Sequence, residues 1–488
     1  MEKRFREIWC WRVLMGLTLA VVLAARAGSA LAPGELPMLQ PDAEIVVDVR
    51  AWPHFNWASF DQDKVVSFNG YQYGIFWDAD RVLTLARRDL RSGDIDVLRF
   101  DAYVLADGLS ERQQRNGHRN TVLGMSPGDG RLHLSWDHHN NDLNYTRSRV
   151  GFLTAPPETM SADDFEPRQP LMEDAPQRVT YPRFFNDHQG NLYFFYRSGG
   201  SGRGDIALFE YDGSDGDWSV ISLRLFGREG LYSAWNNSTS RNAYMHDLLF
   251  DEAGRLHITW VYREVAATWA SNHDLHYAYS DDQGRTWKNN AGEVIADTRA
   301  GEQITIDSPG IVVYDIPVFS WLMNQCAMTL DSNNNPHVAT FHMEEPFEPQ
   351  DVQHDPPAEA LDRLNYYHYW RNNAGEWRRS EPLPMAGRRR PMIAAAPDDT
   401  IVIYFSTNEG FVCHVAHADD EWSTWRSFRL GGPQWRVNDT TKPDRRRLRE
   451  ENTLSFSADP RAQEPGSGFG FLDFDIRRIA RFAAQQDR

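Results

Sequence analysis

Three groups of polar residues interrupt an otherwise apolar, aromatic-rich sequence, and their types can move protons or hold anions. The first joins residues 116–120 (NGHRN) to 136–140 (WDHHN). The second joins 180–183 (TYPR) to 196–202 (YRSGGSG). The third is 242–246 (NAYMH). A neutral imidazole or an acidified phenol can take a proton, and the protonated partner can return one. A guanidinium meets a carboxylate through two parallel hydrogen bonds. The candidates are therefore His118, Asn120, His138, His139, Tyr181, Arg183, Arg197 and Tyr244, with His246 close by. Taken singly, each has a plainer role. A histidine beside an asparagine is usually a loop residue, Tyr-Pro a strand-entry turn with a packed ring, and an arginine a surface ion pair. Four such features in consecutive units point instead to polar groups that converge.

The elements that would bring them together are repeated. A turn with Gly or Asn, then alternating apolar residues ending in an aromatic, recurs at 70–77, 130–136, 190–196, 254–260, 335–341 and 400–405. The first four glycines stand at 70, 130, 190 and 254, a period of about sixty residues, near that of propeller blades. Strict alternation with frequent turn signals is the all-β signature. A third strand often ends near Trp218, Trp287, Trp377 or Trp425. A seventh unit is assembled from 452–456 and 468–475 and closed by an N-terminal strand at 44–49, which removes the open edges of an unclosed array. The expected fold is an all-β, seven-bladed β-propeller forming one domain over residues 31–488. A pair of β-sandwiches is the alternative, and the absence of a linker between units opposes it. Residues 280–287 (SDDQGRTW) fit the Asp-box pattern, in which Asp282 and Gly284 shape a hairpin and Trp287 packs beneath it. That motif is a folding device.

Residues 1–30 read as a signal peptide: Lys3, Arg4, Arg6 and Arg12, then an apolar run from 13 to 25, then small residues around Ala30. A run of about thirteen is short for a bilayer. The mature chain is expected to be secreted or periplasmic, with no membrane contact after cleavage, and monomeric. Cys326 and Cys413 alone remain beyond the leader's Cys10, so a core rather than a disulfide framework must hold the fold. A formal net charge of −18 excludes nucleic acid as a natural partner. It also opposes a polyanionic substrate unless basic residues gather locally.

The lone His118, the His-His pair of 137–140 with Leu143 and Tyr145 beyond, the Tyr181-Pro182 step and the 196–202 run together resemble the propeller-type ulvan lyases, within the wider family of BNR-repeat proteins. The likeness covers most of the mature chain and is strongest from 116 to 287. It implies a polysaccharide lyase acting on an acidic, uronic-acid-containing and sulfated polymer. His118 and Tyr181 would be the acid/base pair and Arg197 would neutralise the substrate carboxylate. His139 and Tyr244 would line the site, with His138 able to exchange roles with His139 and Asn120 and Arg183 as further substrate contacts. Sulfate recognition would draw on Arg119, Arg183 and residues 388–390. The chemistry suits these types, because the C5 proton of a uronate becomes acidic once its carboxylate is neutralised, and preorganised charge supplies much of that effect. No cofactor is required. The resemblance also implies a structural zinc, for which His273, His276 and Cys326 offer ligand types, although Val261 and His276 stand where further thiolates belong. A sialidase-like glycoside hydrolase, which needs paired carboxylates or a Tyr–Glu couple, and a non-catalytic glycan-binding propeller are the rival functions.

Overall fold

Buried on both faces, the six repeated segments become the second strand of six successive sheets: Tyr71–Trp77, Arg131–Trp136, Leu192–Gly200, Leu256–Glu264, Pro336–Met343 and Ile401–Thr407. That position explains why they stand out in the sequence, since sheets on either side leave no face for polar residues. A computed structural model describes residues 32–52, 56, 63–105, 110, 117–265, 268–437, 440–460 and 467–486. The expected leader at 1–30 and Asn116 lie outside them.

Seven sheets are present, and the chain is the expected seven-bladed β-propeller. Blade one holds Val65–Phe68, Tyr71–Trp77, Val82–Asp89 and Ile95–Val104. Blade two is short, with Thr121–Ser126, Arg131–Trp136 and Tyr145–Arg147. The segment His139–Asn141 crosses from it to pair with Val179–Asn186, the inner strand of blade three. Blade four, begun by Arg241–Phe250, is the largest. Blade seven is closed as expected: the N-terminal strand Ala43–Ala51 pairs antiparallel with Ser467–Asp475, which pairs with Thr453–Pro460. At that seam Phe76 of blade one stacks on Phe469 of blade seven at 4.4 Å. A Cβ on Gly74 would come within 2.8 Å of the Phe469 ring, so the close approach requires glycine there. Fully buried aromatic and aliphatic chains between blades, each contributing roughly 1.5–3 kcal/mol, hold the ring without disulfides.

Two details differ from the sequence reading. Trp218, Trp287 and Trp377 lie on fourth strands rather than at the ends of third ones. The chain also ends in a helix, Ile476–Gln485, capped by Asp475 and burying Ile476, Ile479 and Ala483. The Asp box forms as read: Gly284 N donates to Ser280 Oγ at 2.8 Å, Thr286 N to Asp282 Oδ1 at 2.7 Å and Trp287 Nε1 to Gly284 O at 2.9 Å.

Candidate active site

Pro182 has no N–H to give the sheet. The pairing of Val179–Asn186 with its neighbour therefore breaks between Thr180 and Arg183, and Tyr181 takes a left-handed φ of 58°. Such a conformation is costly for a non-glycine residue, the more so before proline. The bulge delivers the Tyr181 hydroxyl to 2.9 Å from His118 Nε2. His118 sits on the loop before blade two, which Arg119 anchors through an ion pair to Asp137 at 2.6 Å and through its carbonyl, which accepts from Trp77 Nε1. On its other side His118 stacks on His139, with centroids 4.2 Å apart and planes at 11°.

Behind Tyr181 lie two guanidiniums and a second phenol. Arg197 places its guanidinium carbon 4.7 Å over the Tyr181 ring, and its Nη1 donates to Tyr244 OH at 3.3 Å. Gly204 is needed beneath it, since a Cβ there would meet Arg197 Cδ at 2.5 Å. Arg263 donates from Nη1 to the same Tyr244 oxygen at 3.2 Å and lies 4.6 Å over that ring. Ser201 Oγ is 3.2 Å away from Tyr244 OH.

This arrangement divides the titrating groups. Burial, then His139, Arg197, Arg390 and Arg263, hold His118 well below the ordinary histidine range, so it is a neutral imidazole at pH 7. Burial against Tyr244 pushes Tyr181 up to about 12 against the pull of the arginines, so it keeps its proton. At Tyr244 burial is outweighed by Arg263 and Arg197, and the phenol falls to about 8. His118, Tyr181 and Arg263 line one cavity of about 650 Å³ together with Trp269, Asn324, Asp355, Arg388, Arg389 and Arg390.

His118, Tyr181, Arg197, His139 and Tyr244 are thus brought together, and the choice between the two adjacent histidines falls to His139. His138 is buried instead within blade two, its Nε2 3.1 Å from Ser135 Oγ and accepting from Asn144 N at 3.2 Å, and burial lowers it to about 3. Asn120 is fully buried and its carbonyl accepts from Asp137 N. Arg183 points away on the far side of the bulge. It donates to Asp247 Oδ1 at 2.9 Å, in a buried cluster with Lys442 and Arg445. Asp247, Lys442 and Arg445 line a separate cavity of about 410 Å³, so Arg183 is not a substrate contact. The residue that the sequence reading missed is Arg263. Charge that breaks the apolar run of the buried strand Leu256–Glu264 is the same signal that singled out the other candidates.

The implied zinc set is not assembled as expected. His273 is clamped between Asp274 (2.9 Å) and Glu264 (3.1 Å). Burial opposes its charge, but those two bonds hold its pKa above the usual value. His273, Asp274 and His276 do cluster, while the Cys326 thiol is not in that group. Better donors are His276 and His246. The buried Nδ1 and Nε2 of His276 and Nε2 of His246 make no hydrogen bond of ordinary geometry among the described residues. Burial keeps both rings neutral, at about 3. The backbone N–H of Cys326 donates to His246 Nδ1 at 3.0 Å.

A sequence model described as a BNR repeat-containing family member matches residues 71–383. The chain belongs to that family. Curated relatives include the long isoform of ulvan lyase from Pseudoalteromonas sp. (strain PLSV), 21% identical over 312 residues, 54% of this chain and 30% of that protein. The corresponding protein of Alteromonas sp. (strain LOR) is 21% identical over 315 residues with the same coverage. The matched part of the chain thus spans under a third of those relatives. Among solved structures, the BNR-family chain resembles the polysaccharide lyase Uly1, with a TM-score of 0.64 at 16% identity over 89% of this chain and 99% of that one. It also resembles a PL25 ulvan lyase bound to a GlcA(1-4)Rha3S saccharide, with a TM-score of 0.60 at 12% identity over 89% and 96%. At these identities the likeness establishes the shared propeller.

Proposed function

We propose that this chain is a polysaccharide lyase that cleaves an acidic, uronic-acid-containing polymer by β-elimination, with a sulfated, ulvan-like glycan as substrate. The observation that carries the reading is the 2.9 Å contact of His118 Nε2 with Tyr181 OH on a cavity wall backed by arginine. The chain's likeness to curated ulvan lyases supports it. Arg197 would neutralise the uronate carboxylate. Neutral His118 takes the C5 proton, the C4–O4 bond breaks as a C4–C5 double bond forms, and the Tyr181 hydroxyl protonates the departing O4. The proton on His118 then returns to the Tyr181 phenolate through their direct bond, which resets the site without water. Acid and base in mutual contact act on one face of the sugar, which suits a syn elimination. Residues 388–390 in the same cavity lining support recognition of further anionic groups, including sulfate. Export is part of the same reading and rests on the leader-like residues 1–30. A structural zinc would draw on His246 and His276, whose buried ring nitrogens are left over, and would take no part in the elimination.

The test is ultraviolet absorbance of the unsaturated uronate while the purified protein is offered uronic-acid polymers, ulvan first. A rise supports elimination. New reducing ends without absorbance would mean hydrolysis, and retained binding without either product would mean a glycan-recognition propeller.

A further inference from the structure

The donors of Arg263 can be accounted for one by one. Nε donates to Asn272 Oδ1 at 2.7 Å, Nη2 to Asn324 Oδ1 at 2.6 Å and Nη1 to Tyr244 OH at 3.2 Å. A guanidinium has five N–H groups, so one on each terminal nitrogen is left over. A carboxylate bonded end-on takes one N–H from each terminal nitrogen. Arg263 is 8% exposed and lines the cavity beside His118 and Tyr181, yet no carboxylate pairs with it among the described residues. Arg241 and Arg183, buried nearby, differ: Arg241 is locked to Glu264 and Arg183 to Asp247. Burying a guanidinium without a counter-ion is costly. Here the cost falls on a side chain fixed by two asparagines and a phenol and turned towards open space. Arg197, by contrast, lies behind the Tyr181 ring and is tied to Gly199 O at 3.1 Å.

We propose that Arg263 is a further catalytic residue, whose two remaining N–H groups bind the carboxylate of the uronate being cleaved. The proposal rests on the lyase reading above. As the C5–H bond breaks, its electron pair moves towards the carboxyl carbon and a second negative charge builds on the carboxylate oxygens, before the pair forms the C4–C5 double bond and O4 leaves. Arg263 meets that charge from the cavity wall, while Arg197, joined to it through the Tyr244 oxygen, adds positive potential from behind. Binding that strengthens as charge develops lowers the barrier, not merely the KM.

The experiment compares the full chain with Arg263→Gln and Arg263→Lys on one uronic-acid polymer and on the same polymer with its carboxylates methyl-esterified, reading unsaturated product. The ester already lacks the charge that Arg263 is assigned to meet. R263Q is expected to lose about a hundred-fold or more in kcat/KM on the acid polymer, the usual effect of removing one preorganised donor. It should lose only a few-fold on the ester, so the acid-to-ester preference collapses. R263K keeps the charge but not the fork and should fall between. Equal losses on both polymers would mark Arg263 as structural and overturn the proposal, as would an R263Q that keeps wild-type preference. If R263Q does not fold, R263K is read by the same ratio. A wild-type protein that yields no unsaturated product from either polymer would instead bring down the lyase reading, and the proposal with it.

Discussion

Replacing Tyr181 by Phe removes one oxygen and leaves the ring, the bulge and the cation–π contact with Arg197 at 4.7 Å in place. The stability effect should be small: a buried neutral hydrogen bond contributes about 1 kcal/mol net, and part of that is offset by no longer burying a hydroxyl. The catalytic effect should be large. If Tyr181 is the acid that protonates O4, its loss should cost about 10²- to 10⁴-fold in kcat, or about 3–5 kcal/mol at the transition state. The gap between those magnitudes makes the test decisive. Initial rates of unsaturated-uronate formation would be measured beside thermal unfolding of the same preparation. The wild-type rate should show no loss at the ordinary histidine pKa of about 6.5, because His118 is held neutral well below it and Tyr181, at about 12, stays protonated throughout. A Tyr181→Phe protein that keeps more than about a tenth of wild-type kcat would refute the assignment of Tyr181 as acid.

On the alkaline side Tyr244 should set the limit. Its phenol ionises near 8, and the anion would compete with the substrate carboxylate for Arg197 and Arg263, so kcat/KM should fall above that pH and the fall should vanish in Tyr244→Phe. Thermal stability should drop as pH falls below about 6.5, because His138, His246, His276, His342 and His414 are buried neutral with pKa values of about 3 or 4. Protons then bind the unfolded chain in preference. Stability that is flat from pH 7 to 5 would contradict their placement. Asp247→Asn removes the carboxylate shared by Arg183, Lys442 and Arg445, leaving only Arg445 a second partner in Asp63, and should cost about 3–5 kcal/mol in unfolding free energy. Metal analysis of the purified protein should find zinc in the wild type and its loss in His246→Ala and His276→Ala, but not in His273→Ala. A chelator should lower Tm without changing initial rates measured below the melt.

Legibility in the sequence followed burial. The second strand of each blade is packed on both faces, so its apolar run stands out at a fixed period, and six of seven blades were readable for that reason. The fourth strands that carry Trp218 and Trp377 are short and partly exposed, which is why these residues were assigned one strand too early. His118, Tyr181 and Arg197 were readable because polar residues that break a buried pattern are rare, and the Tyr-Pro step carries its own cause for a bulge. The direction of a side chain was not readable. Adjacent histidines at 138 and 139 look alike until the turn through Asp137 and Asn140, both at positive φ, sends one inward and the other against His118. Arg183, two residues from Tyr181, would share its face in a regular strand; the bulge separates them. Arg263 was passed over because its strand resembles ordinary core.

The overall charge was the weakest guide of all. A net charge of −18 argues against a polyanionic substrate only if the charge is felt where the substrate binds, and surface charges more than about 8–10 Å apart are largely screened at physiological ionic strength. What an incoming glycan meets is the cavity itself. Its walls carry Arg263, Arg388, Arg389 and Arg390 against Asp355 and Glu409, with Arg197 a layer behind. Asp355 is further engaged by Trp269 Nε1 at 3.1 Å and faces Arg388 at 3.8 Å. The balance at the reacting bond is therefore cationic inside an acidic protein. Such a field draws the polymer inward.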